Sequence, residues 1–200
     1  MSFKVMDIPF SNISKINNLK PQKGNLILAE PFMQDDHFGR SVILMCEHNN
    51  EGSYGFILNN KLDINLEDLV PEIEVKDLSV YYGGPVHSAN LFYLHQLGDL
   101  LENSVKICEN IWTSGDFNQI IEFINMGIID TRKIKFFLGY AGWTENQLTN
   151  EFKSNSWIAL NLLDDDIFSE NKIDLWKDVL NKRGGRMKAI SNFPLNPIDN

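Results

Sequence analysis

Two histidines close apolar runs in this chain, His48 at the end of VILMCEH and His95 at the end of LFYLH. An imidazole at a strand end can act as general base, hydrogen-bond donor or metal ligand. Glu47 precedes His48, and Glu151 lies in a later helical stretch, so either carboxylate could orient an imidazole for acid–base chemistry. Such a pair needs something to activate. G-x-S-x-G is absent, so no hydroxyl sits on a nucleophile elbow. G-x-G-x-x-G and G-x-x-x-x-G-K-[ST] are absent too, which removes the common nucleotide cradles. Metal chemistry lacks a pattern as well: there is no H-E-x-x-H and no H-x-H, and Asp164-Asp165-Asp166 has neither the alternation nor the terminal Glu of a calcium loop. No metal and no cofactor are expected. Gly83-Gly84-Pro85-Val86 forces a sharp change of direction, and its N–H groups either form an anion nest or merely turn a tight corner. Any histidine can also be structural, tying a loop to its strand.

The elements that must position these groups are organised around Phe136 to Phe152, FFLGYAGWTENQLTNEF. Phe136 to Leu138 reads as strand, Gly139 to Gly142 as a turn, and Thr144-x-x-Gln147 as a capping box that opens a helix. Before it, strands are predicted at Leu26 to Ala29, Val42 to Cys46, Tyr54 to Leu58, Leu78 to Tyr82, Leu91 to His95, Val105 to Trp112 and 133 to 138. The second and third make a hairpin through Asn49 to Ser53. Short helical spacing from Asn65 to Leu69 faces Leu66 and Leu69 inward, and Asp116 caps a helix through Met126 whose buried stripe is Phe117, Ile120, Ile121 and Ile124. After the central stretch come a strand at Trp157 to Leu162 and a helix capped by Ser169, carrying Ile173, Trp176, Val179 and Leu180 and ending at Gly184.

Two hundred residues without an internal Gly/Ser/Pro linker fit one domain, with residues 1–23 as an N-terminal arm holding Ile13, Ile16 and Leu19, 24–184 as the folded unit and 185–200 as a loosely ordered tail. The opening MSFKVMDIPF has no apolar core of a signal peptide, and no run is long enough to span a bilayer. Cys46 and Cys108 sit inside apolar segments without C-x-x-C spacing, which reads as buried thiols in a reducing cytoplasm. With 18 basic against 27 acidic residues the net charge is -9, which disfavours direct binding to DNA phosphates. The basic cluster Lys182, Arg183, Arg186 and Lys188 falls at a helix end, where it complements the helix dipole.

An ordered set of blocks then resembles the AlgH/YqgE family of bacterial proteins: Gly24 to Pro31 with Met33, Asp35, Phe38 and Arg40-Ser41-Val42; Glu47-His48-Asn49; Gly55-Phe56 with Asn59; Gly83 to Val86; Leu94-His95; and GYAGW with Gln147, Leu148, Glu151 and Trp157. The resemblance implies an α/β domain of α+β type, with a bifurcated β-sheet folded into a pseudo-barrel and flanked by helices. It departs at Asn60-Lys61, where the family usually has Arg-Pro, and at Asp36, often proline. Members commonly carry the label of transcriptional regulator, yet no helix-turn-helix is legible here. Regulation would then be indirect.

Three functions follow. The reading adopted is a cytoplasmic regulator that binds a small polar or anionic ligand or a protein partner. Its cleft gathers Arg40 as charge partner, His48 and His95 as donors, Asn59, the Gly83-Gly84-Pro85 turn, Tyr140, and Trp143 as stacking face. The second is a hydrolase or transferase using His48 or His95 with Glu47 or Glu151; Ser41 is the hydroxyl at hand. The third makes all these residues fold-specifying, with no small-molecule site.

Overall fold

The computed structural model describes residues 19–163, 167–168 and 174–194. Ile13 and Ile16, the aspartates 164–166, Ser169 and Ile173 lie outside them. Among the described residues ten strands and five α-helices follow one another in an α+β order: β1 (Leu26–Ala29), β2 (Val42–Asn49), β3 (Gly52–Ile57), β4 (Lys61–Asn65), α1 (Leu66–Leu69), β5 (Ser79–Tyr82), β6 (Val86–His95), β7 (Val105–Cys108), β8 (Ile111–Thr113), α2 (Phe117–Asn125), β9 (Ile134–Thr144), α3 (Gln147–Lys153), β10 (Trp157–Leu160), α4 (Leu175–Arg183) and α5 (Gly185–Ser191).

The main path of the sheet runs β10-β1-β2-β3-β9-β6-β8-β7, with β4 and β5 on a branch. Strand β9 is the trunk. One edge pairs with β6 from Ile134 to Tyr140. Its other edge is divided: Phe136 to Leu138 run parallel to β5, and Ala141 to Thr144 run antiparallel to β3. Gly83 closes the fork, giving its N–H to the Leu138 carbonyl at 2.8 Å and accepting the Ile57 N–H at 3.0 Å. Apart from β5 with β9 every pairing is antiparallel. The bifurcation that the family resemblance implies is therefore present, and the sheet is not closed into a barrel.

Alternation along the central strands fills both faces, because successive side chains point to opposite sides. Leu26, Leu28, Leu44, Phe56 and Phe137 face one core with Trp176 and Leu180 of α4. Ile27, Ile43, Met45 and Ile57 face a second with Trp143, Leu148 and Trp157. A third core gathers Leu66, Val80, Tyr93, Phe136, Ile120 and Ile124 under α2. Trp176 is fully buried and its indole N–H donates to the Ala29 carbonyl at 2.9 Å, so burial and a satisfied polar handle coincide. Cys46 is buried, Cys108 half-buried, and neither forms a disulfide. No helix among the described residues is long and apolar enough to cross a membrane.

Several expectations change. The GYAGW segment is not a turn: β9 runs on through it as one strand of 11 residues. Gly139 is required there for another reason, since its φ is +70° and an added Cβ would lie 2.3 Å from the Gly84 carbonyl oxygen. Half of the capping box forms, with Gln147 Oε1 accepting the Thr144 N–H at 3.0 Å, but the helix begins only at Gln147, after Asn146 at φ +60°. Residues 105–112 are two strands, the polar Glu109-Asn110 pair reversing the chain between β7 and β8. Strand β6 begins at Val86 and not Leu91, because Val86 already pairs with Tyr140; the four exposed residues 87–90, which show no apolar alternation, form an irregularity before Leu91 pairs with Leu138. Leu69 is 41% exposed, and only Leu66 of α1 is buried. Asp116 caps α2 as expected, accepting from Asn118 and Gln119. Asp174 caps α4, and beyond Gly184 the chain makes a further helix, α5, with Ile190 and Ser191 buried. Arg183 satisfies the carbonyls of Val179 (2.9 Å) and Asn161 (2.6 Å), the end-of-helix role its position indicated.

The fork makes a quantitative expectation. Gly139→Ala must hold a left-handed conformation and displace backbone of the crossing 84–88 segment, so it should destabilise by about 3 kcal/mol or more. Gly127→Ala has a similar φ of +64° but open space around it, and should lose only about 1 kcal/mol. Urea unfolding of the two variants beside wild type measures the difference.

Candidate functional site

A register shift in β2 decides which side chains meet. Leu44 pairs with Phe56 and Met45 with Gly55, but Glu47, not Cys46, then pairs with Tyr54. This bulge at Cys46 moves Glu47 onto the face of Tyr54 and Phe56 and sends His48 to the opposite face, opposite Ser53, because one extra residue inverts everything after it.

His48 consequently sits beside α3. Its Nδ1 is 2.7 Å from Ser53 Oγ, and it lines a hollow of about 480 Å³ with Lys20, Phe152, Lys153 and Trp157. His95 is elsewhere and inaccessible. Its Nε2 donates to the Ser114 carbonyl at 3.0 Å, Nδ1 accepts from the Leu97 N–H at 3.3 Å, and the ring stacks on Trp112. Burial holds its pKa below the ordinary 6.5, the bond to Ser114 opposing only in part.

The remaining expected site residues are dispersed. Arg40, at φ +52°, lays its guanidinium 4.6 Å over the Trp176 ring and donates from Nη2 to the Phe193 carbonyl at 2.5 Å. Asn59 ties two strands, accepting from Val42 N–H (2.9 Å) and donating to the Arg40 carbonyl (3.0 Å). Ser41 is fully buried, and so is not a reachable nucleophile. In the Gly83-Gly84-Pro85 corner the Gly83 N–H belongs to the sheet, and a Cβ on Gly84 would stand 2.3 Å from backbone of Tyr140 and Ala141. That geometry is a tight corner and not an open nest. Glu151 accepts the indole N–H groups of Trp143 (2.9 Å) and Trp157 (2.7 Å) on Oε2 and the Gln147 amide (3.0 Å) on Oε1, while Phe38 stacks on Trp143 and meets Trp157 edge-on. It orients two tryptophans and no histidine. The single cleft expected from the sequence is therefore not assembled: Arg40 and Asn59 meet through the Arg40 backbone carbonyl, while His48 and His95 lie apart from them and from each other.

What does converge is a set of rings. Tyr54 and Phe56 of β3, Phe92 of β6 and Tyr140 of β9 make a closed quartet, each in contact with the next: Tyr54–Phe56 at 6.2 Å, Phe56–Phe92 at 5.9 Å, Phe92–Tyr140 at 5.6 Å and Tyr140–Tyr54 at 5.7 Å. Three of the four contacts are edge-to-face, the arrangement favoured by ring quadrupoles. Phe56 is buried and stacks on Phe137 of the core at 4.9 Å, while Tyr54, Phe92 and Tyr140 are half-buried. They wall a trough of about 640 Å³ that also meets Val86, Gly142, Thr113, Ser114, Glu47 and Glu51. Its volume is in the range of small-molecule sites. Burial above all, and then the nearby Cys46 thiol and Glu47 carboxylate, push the Tyr54 phenol up to about 12, so it remains a hydrogen-bond donor. Among the described residues no Lys or Arg lines the trough. Of the expected residues it contains Glu47, Tyr140 and Trp143. Tyr54, Phe56 and Phe92 were missed, although aromatics at 54 and 56 alternate as one face of a strand. Among the described residues no group of three or more His, Cys, Asp or Glu could hold a metal ion.

A family model described as AlgH-like matches residues 26–188. The chain is 40% identical to a UPF0301 protein of Parabacteroides distasonis, over 96% of this chain and 98% of that one, and 38% identical to one of Bacteroides thetaiotaomicron, over 95% and 98%. In structure it is similar to the DIP2367 protein of Corynebacterium diphtheriae (TM-score 0.72, 22% identity, 90% of this chain and 97% of that). It is likewise similar to the AlgH protein of Pseudomonas aeruginosa (TM-score 0.68, 23% identity, 88% and 98%).

His95 sets a pH expectation. Its folded pKa lies below the unfolded 6.5, so the unfolded state binds the proton first; the stability of the neutral ring is full above about 6.5 and declines as pH falls towards the lowered folded value. Wild-type stability should fall between pH 7 and 5, and His95→Gln, though less stable throughout, should lose that part of the slope. Urea unfolding across this range gives the comparison.

Proposed function

The chain belongs to the AlgH-like family, and we propose that it works without catalysis, as a binding protein whose small ligand enters the aromatic trough. The observation that carries this reading is the quartet of Tyr54, Phe56, Phe92 and Tyr140, which brings three half-buried rings together in the wall of one trough. Apolar surface of that kind is stabilised by an occupant at about 25 cal/mol per Å². Among the described residues the lining has no histidine, and its one hydroxyl paired with an imidazole, Ser53 Oγ with His48 Nδ1 at 2.7 Å, turns with His48 to the other face of the sheet, which supports binding in the trough over hydrolysis or transfer there. A regulatory role would run through the occupied trough to a partner protein. With a net charge of -9, duplex DNA is a poor target. His95, Asn59, Arg40 and Glu151 act as fold-specifying residues.

One observation favours a second site for the small anion expected from the sequence: the hollow at His48 also carries Lys20 and Lys153. A single experiment separates the two. In a thermal-shift screen of small polar, anionic, cationic and aromatic compounds, a ligand at a hundred times its dissociation constant should add about 2.7 kcal/mol. The shift should vanish in Val86→Trp, which fills the trough, and survive in His48→Ala. Loss in His48→Ala alone would move the site to the hollow, and a shift indifferent to both would overturn both readings.

A further inference from the structure

We infer that the trough takes a small organic cation, an alkylated ammonium group carried on an apolar body; this rests on the trough being a binding site at all. Three features of the cavity act together. The walls are built from aromatic rings, and three of the four rings of the quartet belong to half-buried residues. The charged groups of the lining are both carboxylates, Glu47 within β2 and Glu51 in the turn after it, with no Lys or Arg. An anion entering there would meet repulsion and no compensating donor of full charge, whereas a cation meets the negative faces of aromatic rings and two carboxylates.

The chain's own cations show where this interaction is already taken. Arg40 covers Trp176 at 4.6 Å, Lys106 covers Trp112 at 5.4 Å and Lys135 covers Tyr81 at 3.8 Å. Among the described residues, no Lys or Arg covers Tyr54, Phe92 or Tyr140. Apart from His87, whose ring lies 5.8 Å from that of Tyr140, these rings are thus not already matched by a cation of the chain itself. Alkylation of the ligand follows from hydrogen bonding. A primary ammonium brings three donors that must each regain an acceptor. The ring carbons of Tyr54, Phe56, Phe92 and Tyr140 offer none, so the side of the head group that lies on the quartet is better alkylated, while the carboxylates answer its charge. An alkylated ammonium has fewer donors to satisfy and fits aromatic faces. A bare metal ion fits poorly, since two carboxylates are too few oxygen ligands.

The test uses the full chain at low ionic strength and a matched pair of probes, choline and its neutral carbon analogue 3,3-dimethylbutan-1-ol, titrated by NMR with the aromatic resonances of Tyr54, Phe92 and Tyr140 as reporters. Choline should bind about tenfold more tightly than the alcohol. Tyr140→Leu, which keeps an apolar wall without a ring face, and Glu47→Gln should each weaken choline several-fold and leave the alcohol unchanged. The alcohol binding as tightly as choline would overturn the cation and leave the trough standing as an apolar site. Choline weakened by Glu47→Gln but indifferent to Tyr140→Leu would reduce the effect to surface charge and overturn it too. If neither probe moves the three reporters, both the cation and the trough reading fail.

Discussion

Strand β9 has to satisfy two partners on one edge. An interior strand can hydrogen-bond to only one neighbour at each point along a side, so β5 and β3 must hand over, and they do so where Leu138 ends one pairing and Ala141 begins the other. At the hand-over every backbone group still needs a partner, since an unpaired buried N–H or carbonyl is costly. Gly83 supplies both, its N–H to Leu138 of the trunk and its carbonyl to Ile57 of β3. Close approach of the 83–88 segment to β9 is the geometric consequence, and it is why glycines stand at 83, 84 and 139, where any side chain would occupy backbone. The three cores, the trough and the position of α3 are all referred to this crossing.

A second constraint acts on the far side of the same strand. Glu151 binds two indole N–H groups through one oxygen and an amide through the other, so its carboxylate is a joint between β9, α3 and the start of β10. Bonds to an ionised acceptor are stronger than neutral ones, and removing such an acceptor strands its donors. The carboxylate therefore fixes the angle at which α3 lies on the sheet. This arrangement gives Trp143 of the GYAGW motif, together with Gln147 and Glu151, an architectural part, while Tyr140, three residues before Trp143 and so on the opposite face, joins the trough.

Much of the framework is legible in the residues because local chemistry and tertiary structure agree there. Asp116 ahead of the Ile120 and Ile124 stripe, Leu26 to Ala29 between glycine and proline, and the β2–β3 hairpin all form as their patterns indicate. The reading fails where a long-range demand overrides a local signal. Glycines at 139 and 142 resemble a turn but exist for a neighbouring strand. Glu109-Asn110 is a two-residue signal inside an apolar stretch. The bulge at Cys46 has no signature of its own, yet by inverting Glu47 and His48 it decides which of them reaches the trough, and so a site inferred from alternation alone gathers the wrong pair. The family resemblance gave the bifurcated sheet correctly, because order and spacing of many blocks encode topology. It could not separate residues shared for packing from residues shared for binding, since Asn59, Glu151 and Tyr140 look alike in that respect.

The Cys46 bulge also leaves the molecule with a chemical clock. Desolvation by burial raises the thiol pKa far above its ordinary value, and the side chain is almost wholly enclosed. Thiolate is the reacting species, so alkylation of the closed form is suppressed twice, by protonation and by access. Modification at Cys46 then proceeds only through an opening of the β2 centre, and where reclosing is fast its rate reports the free energy of that opening. Cys108, half-buried on the edge strand β7, reads a different and shallower excursion. One chain thus carries two natural probes of its own breathing, one at the margin of the sheet and one at its heart.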